Sequence, residues 1–162
     1  MNIITKLRQK IKSHAQQGKS DWELVAWSIA WEGYVTLVKF RNKQINVIRP
    51  IIEISNTEKH LLEKMQSFAK GYGRITGPYL NKLHTNNKPV YYWRICRLSE
   101  VKDVAENIVY IMPSKRKQEI AKLVLAFCNS RLAKVGSPYT DFEEMLWKNV
   151  AKLNYGSKRG KK

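Results

Sequence analysis

The sequence predicts an α+β fold, a curved antiparallel four-stranded sheet with helices on one face and extra C-terminal helices. Three observations predict it. The hydrophobic period changes from helical to alternating at Gly33. Two β-branched alternating stretches, 34–41 and 45–54, are joined by the turn Asn42-Lys43-Gln44. A second strand pair, 74–79 and 90–97, follows an intervening helical stretch and is itself followed by another, giving the order αββαββα.

Each element can be justified in turn. Residues 1–19 place Ile3, Ile4, Leu7 and Ile11 at helical spacing among Lys6, Arg8, Lys10 and Lys12, a basic lead-in helix. Ser20 and Glu23 have capping-box spacing, so a helix is expected to start at Asp21. Gly33 is expected to end it in the left-handed conformation. In the first hairpin Val35 and Leu37 share one face and Tyr34 and Thr36 the other, while Ile48, Ile52 and Ile54 oppose Arg49, Ile51 and Glu53. Pro50 cannot donate to a strand ladder, which predicts an edge position or a bulge.

Ser55 and Glu58 repeat the capping spacing before a helix over 57–70 that turns Leu61, Leu62, Met65 and Phe68 inward. The second hairpin has a longer loop over 80–89, and its run Tyr91, Tyr92, Trp93 reads as core more than as a stacking platform. Ser99 is expected to cap a helix ending before Pro113, Ser114 a fourth running to about 134, and Thr140 with Glu143 a fifth that puts Phe142, Leu146, Trp147 and Val150 on one face. The domain map is a lead-in helix over 1–19, one domain over 20–154 and a basic flexible tail over 155–162.

Composition narrows the function. Thirty lysines and arginines face 13 acids, a net charge of +17 on 162 residues. Such an excess repels itself unless a polyanion relieves it, which points to nucleic acid. The basic residues are spread through strands and loops and are not gathered on one long amphipathic helix, which argues against a membrane surface. Two cysteines without a CxxC pair and three scattered histidines argue against a zinc site and suggest no disulfide framework. No apolar run reaches membrane-spanning length and the charged amino terminus lacks a secretory h-region, so an intracellular protein of the cytoplasm or an organelle matrix is expected.

The segment over 20–33 is the centre of the chain. Ala26, Ala30 and Gly33 fall at i, i+4 and i+7, a stripe of small residues that lets two helix backbones approach closely. Glu32 stands at the helix C-terminus, where unpaired carbonyls already carry partial negative charge. Something positive is needed there, and a divalent cation held by Glu32 and exposed carbonyls, with Gly33 at the end of the helix, meets the need.

The string Val25-Ala26-Trp27-Ser28-Ile29-Ala30-Trp31-Glu32-Gly33 resembles the signature helix of the LAGLIDADG homing endonucleases. Trp27 and Trp31 depart from the small residues usual there, Ala30 replaces the earlier acid, and Glu32 stands for the more frequent aspartate. Further strings carry the resemblance over residues 20–134: Gly71-Tyr72-Gly73-Arg74-Ile75, Tyr92-Trp93-Arg94-Ile95, and the stretch from Met112 to Lys122.

The resemblance implies a site-specific DNA homing endonuclease, intron-encoded, that hydrolyses both strands of a long pseudo-palindromic site as a homodimer. It implies Mg²⁺ as cofactor, with Mn²⁺ as a substitute, and double-stranded DNA and a second copy of the chain as partners. Glu32, Asn56 and Lys117 are the expected catalytic residues, Glu32 and Gly33 the metal-binding ones. Asn56 suits either water orientation beside the metal or a helix N-cap, and Lys117 either the scissile region or backbone phosphates. Ala26, Trp27, Ala30 and Trp31 are expected at the dimer interface. The nucleic-acid face is expected to carry Tyr34, Thr36, Arg49, Glu53, Arg74, Thr76 and Arg94 on the strands, Lys43 and Gln44 at one turn, Lys82, His84, Asn86 and Asn87 in the longer loop, and Lys115 and Arg116 at the fourth helix. There arginine favours guanine, asparagine or glutamine adenine, and glutamate cytosine. The alternative is a non-cleaving maturase on the same fold, which binds intron RNA and assists splicing.

Overall fold

A computed structural model describes residues 20–42, 45–80 and 88–156. The expected lead-in helix and the tail from residue 157 lie outside them. Helix α1 (Asp21–Glu32) runs straight into strand β1 (Gly33–Asn42), which returns as β2 (Ile45–Asn56). Then follow α2 (Lys59–Phe68), β3 (Arg74–Tyr79), β4 (Val90–Ile95), α3 (Leu98–Ile108), α4 (Lys115–Ala133) and α5 (Asp141–Tyr155). The strands form one antiparallel sheet in the order β1-β2-β4-β3.

Alternation decides which face is core. Val35 and Leu37 lie opposite Ile52 and Pro50, and with Ile48, Ile54, Trp93 and Ile95 they are buried under the helices. Each such apolar side chain contributes about 1.5–3 kcal/mol. Leu62 and Met65 of α2, Val101, Val104 and Ile108 of α3, Ile120, Val124 and Phe127 of α4, and Leu146 and Val150 of α5 complete the same core. Among the described residues no helix is long and apolar enough to cross a membrane.

Several local expectations are corrected. Ser20 makes no side-chain cap; the Glu23 N–H meets the Ser20 carbonyl at 3.0 Å instead. Gly33 is extended at φ −110°, so left-handed freedom is not why glycine stands there. The reason is space: a Cβ would lie 2.7 Å from the Glu53 carbonyl oxygen and 3.0 Å from Ile29 Cα, because the end of α1 sits directly on β2. Ser55 belongs to β2, and α2 starts later than expected, at Lys59. Ser99 lies inside α3, whose N-cap is Arg97.

Pro50 causes no bulge. The β1/β2 register is unbroken, and Pro50 lies beyond the stretch of β2 that pairs with β4. The irregularity falls in β3 between Thr76 and Tyr79, where Gly77 takes φ 118°.

The C-terminal helices cap as the sequence predicts. The Ser114 hydroxyl accepts from the Lys117 N–H, and Thr140 with Glu143 forms a full capping box. Glu143 is wholly buried and accepts from Ser130 Oγ at 3.0 Å, Arg131 Nη1 at 3.2 Å and the Thr140 N–H at 2.9 Å. Arg131 also donates to the carbonyls of Lys134 and Ser137, joining the end of α4 to the start of α5.

Candidate active site and nucleic-acid face

Glu32 ends α1 because Gly33 opens β1 without an intervening loop, which places the carboxylate at the junction of helix and sheet. Asn56, the last residue of β2, is brought beside it. Asn56 Nδ2 donates to Glu32 Oε2 at 2.7 Å, while Asn56 Oδ1 accepts the Glu58 N–H at 2.8 Å. The second bond fixes which end of the amide faces the acid. The helix N-cap is Glu58 and not Asn56, whose buried amide instead links the Glu32 carboxylate to the backbone leading into α2. A cleft of about 220 Å³ opens here, lined by Glu32, Ser55, Asn56, Thr57 and Val90.

The positive partner expected at the end of α1 is present within the chain. Lys117 sits in the first turn of α4, and its ammonium donates to the carbonyls of Ile29 at 2.8 Å, Ala30 at 2.9 Å and Gly33 at 2.6 Å. All three ammonium protons are engaged on carbonyls at the helix end, where the Ile29 carbonyl also accepts the Gly33 N–H. Burial, and then the charge of Arg116, lower its pKa. Lys117 therefore neutralises the α1 terminus. The Gly33 carbonyl, expected as a metal ligand, already faces an ammonium. The Ile29 and Ala30 carbonyls were not singled out from sequence, although the last carbonyls of any helix need partners.

The remaining donors suit a hard divalent cation. Among the described residues Glu32 makes one side-chain hydrogen bond, through Oε2, and its carboxylate borders the cleft. No cluster of three or more His, Cys, Asp or Glu occurs among the described residues. One copy thus contributes Glu32, with Asn56 to orient it, and an ion at this point would complete its shell with oxygens from water, a second copy or a nucleic acid.

On the open face of the sheet, one row runs across all four strands. Tyr34 lies opposite Glu53, Glu53 opposite Arg94, and Arg94 opposite Arg74. The Tyr34 hydroxyl donates to Glu53 Oε1 at 2.8 Å, and Arg94 Nε donates to Glu53 Oε2. Burial, then the bond to Glu53, pushes the Tyr34 pKa up to about 12. Glu53, expected to read a base, is buried with both oxygens occupied, and what the row exposes is Tyr34, Arg94 and Arg74.

Thr36 is likewise buried, its hydroxyl held by Asn154 Nδ2 at 3.2 Å. Arg49 is exposed beside the Phe40 ring, Thr76 is half-buried opposite Tyr92, and Lys115 and Arg116 are exposed at the start of α4. Trp93 is core, with Nε1 on the Tyr72 carbonyl, whereas Tyr91 and Tyr92 are half-buried. Lys43, Gln44, Lys82, His84, Asn86 and Asn87 lie outside the described residues.

The small-residue stripe divides. Ala26 is fully buried in the chain's own core, so it is unavailable to a twin helix. Trp27 and Ala30 are half-buried and Trp31 is 58% exposed, with the two indoles stacked at 6.3 Å. The face of α1 left open is therefore aromatic.

This architecture, with an acid ending the helix that enters the first strand, is the fold of the LAGLIDADG homing endonucleases. Among solved structures, the homing endonuclease I-CvuI in complex with the I-CreI DNA target and Mg superposes with a TM-score of 0.67 at 16% identity, over 85% of this chain and 84% of that one. The archaeal intron-encoded homing endonuclease I-Vdi141I, complexed with DNA, matches at 0.63 and 15% identity over 88% and 86%. The LAGLIDADG homing endonuclease I-GzeII, also with its DNA target, matches at 0.62 and 15% identity over 83% of this chain, which spans only 43% of that one. No family model matches the sequence, and no curated protein does.

Proposed function

We propose that the protein is a homodimeric, Mg²⁺-dependent, sequence-specific DNA endonuclease that makes a double-strand break at a long pseudo-palindromic site and promotes the spread of the intron encoding it. The observation that carries this reading is the Glu32–Asn56 pair, set at a helix end beside an open cleft on a strongly basic sheet. One chain offers one such acid, so two copies are needed to clamp both strands, and a two-fold axis beside α1 brings the two Glu32 side chains together. Glu32 would hold a divalent ion there, whose chemistry when bound would be to activate a water and neutralise charge at the phosphodiester. Glu32 binds the cation, Asn56 holds the carboxylate's orientation, Lys117 keeps the end of α1 electrically neutral, and Arg74 and Arg94 bind the duplex.

The test is incubation of the purified protein with the uninterrupted form of its host gene in Mg²⁺. A unique double-strand cut supports the reading, and intact DNA in both Mg²⁺ and Mn²⁺ overturns it. One observation favours a second reading, a maturase that binds intron RNA without cutting: Lys117 occupies the Gly33 carbonyl that a metal would otherwise share. Faster splicing of the intron RNA by a protein that leaves DNA uncut would decide for it.

A further inference from the structure

A second cleft, of about 360 Å³, lies where the start of β3, the end of β4 and the start of α3 converge. It is lined by Gly73, Arg74, Arg94, Cys96, Arg97 and Glu100. Arg74 and Arg94 stand directly opposite each other across the two strands, an arrangement of like charges that costs stability when nothing lies between them. The acids present answer only part of this charge. Glu53 takes Arg94 through Nε, and Glu100 takes Arg97 Nη1 at 3.1 Å while its other oxygen accepts the Gly73 N–H at 3.1 Å. Among the described residues Arg74 pairs with no acid.

Three guanidiniums thus face two carboxylates around a space ample for one tetrahedral anion. The side chains of Arg94 and Arg97 remain 51% and 77% exposed, with guanidinium donors left to reach it.

We propose that this cleft seats a non-scissile backbone phosphate of the bound DNA duplex. Its place in the sheet separates it from the candidate cleavage site: Asn56 lies opposite Tyr91 near the start of β4, and Cys96, just past the end of that strand, is five residues further on, about 17 Å at the usual strand rise. The role rests on the DNA-binding reading above and adds Arg97, which no strand pattern marked, as a positioning contact that sets the register of the duplex without reading its sequence.

Cys96 reports on the cleft directly. It is exposed, whereas burial pushes the thiol of Cys128, the chain's other cysteine, up to about 12, so a maleimide at neutral pH labels Cys96 selectively. With a random-sequence duplex at about ten times its Kd, labelling is expected to slow about tenfold, since only free protein reacts. Arg97→Ala is expected to weaken every duplex equally and to lower the slope of log K against log salt by about 0.9, one phosphate's share. Measurable duplex binding with unchanged Cys96 labelling, or an unchanged salt slope in Arg97→Ala, overturns the proposal while leaving the DNA-binding reading intact. Equal protection by inorganic pyrophosphate, or better protection by structured RNA, overturns it in favour of those ligands. Absence of any duplex binding by the wild type overturns both.

Discussion

Asn56 Nδ2 donates to Glu32 Oε2 at 2.7 Å, and the amide cannot turn away because its oxygen is committed to the Glu58 N–H. A residue that anchors a metal-binding carboxylate in this way typically accounts for about 10–100-fold in activity. Asn56→Ala is expected to lower the cleavage rate by that factor at saturating Mg²⁺. Glu32→Gln keeps an oxygen for Asn56 but loses the negative charge, so cleavage should fall to background while duplex binding in a gel-shift assay is retained. Cutting by Glu32→Gln at the wild-type rate would remove Glu32 from the chemistry.

Lys117 makes a stability prediction that a phosphate contact would not. Lys117→Met keeps the aliphatic stem and leaves three carbonyls at the end of α1 without a charged donor. Hydrogen bonds to a charged group are worth about 1.5–3 kcal/mol net, and a loss of that order is expected in urea denaturation of the free protein. An unchanged midpoint would show that the ammonium acts elsewhere.

At Gly33 the smallest possible change should be felt. The backbone angle suits any residue, but the Cβ of Gly33→Ala would press on the Glu53 carbonyl oxygen at 2.7 Å and on Ile54 Cγ1 at 2.9 Å. Overpacking of this kind costs about 1–3 kcal/mol. It also lifts the end of α1 from β2, so nuclease activity should drop further than stability alone explains, as measured at a temperature where the variant is folded.

Glu143 gives the expected pH response. Burial acts to raise its pKa, but the Thr140 N–H, the Ser130 hydroxyl and Arg131 together outweigh it and hold the carboxyl below its ordinary 4.5. With the folded pKa below the unfolded one, the unfolded chain binds more protons in that window. This contribution is complete above the unfolded value and is lost as pH falls through the folded one. Glu143→Gln should therefore flatten the fall in stability below about pH 4.5. Arg131→Ala, which strands a buried carboxylate, should cost about 3–5 kcal/mol at neutral pH. Both are read from denaturant midpoints across pH.

The elements were legible because their periods differ: alternation marked β1 and β2 to within two residues at each end, and Ser114 and Thr140 announced the starts of α4 and α5. Ser20, Ser55 and Ser99 show where local pattern fails, since β2 simply continues through Ser55 once β4 is there to pair with it. At the site, Glu32 and Asn56 could be picked out as residue types, but their bond joins positions 24 apart and exists only after the sheet has formed. Glu53 reads as a surface acid in an alternating strand. Its burial comes from Tyr34 and Arg94 closing over it from both neighbouring strands, which one strand's sequence does not encode.

Helix α4 is fastened at both extremities, through Lys117 to the end of α1 and through Arg131 to the loop that leads into α5. Its two anchorages tie the end of α1, where Glu32 stands, to the start of α5. Trimming the chain after residue 134 would remove that far anchorage together with Leu146 and Val150 from the core and the Asn154 bond to Thr36 of β1, so a shortened variant should unfold at a lower denaturant concentration than the full chain.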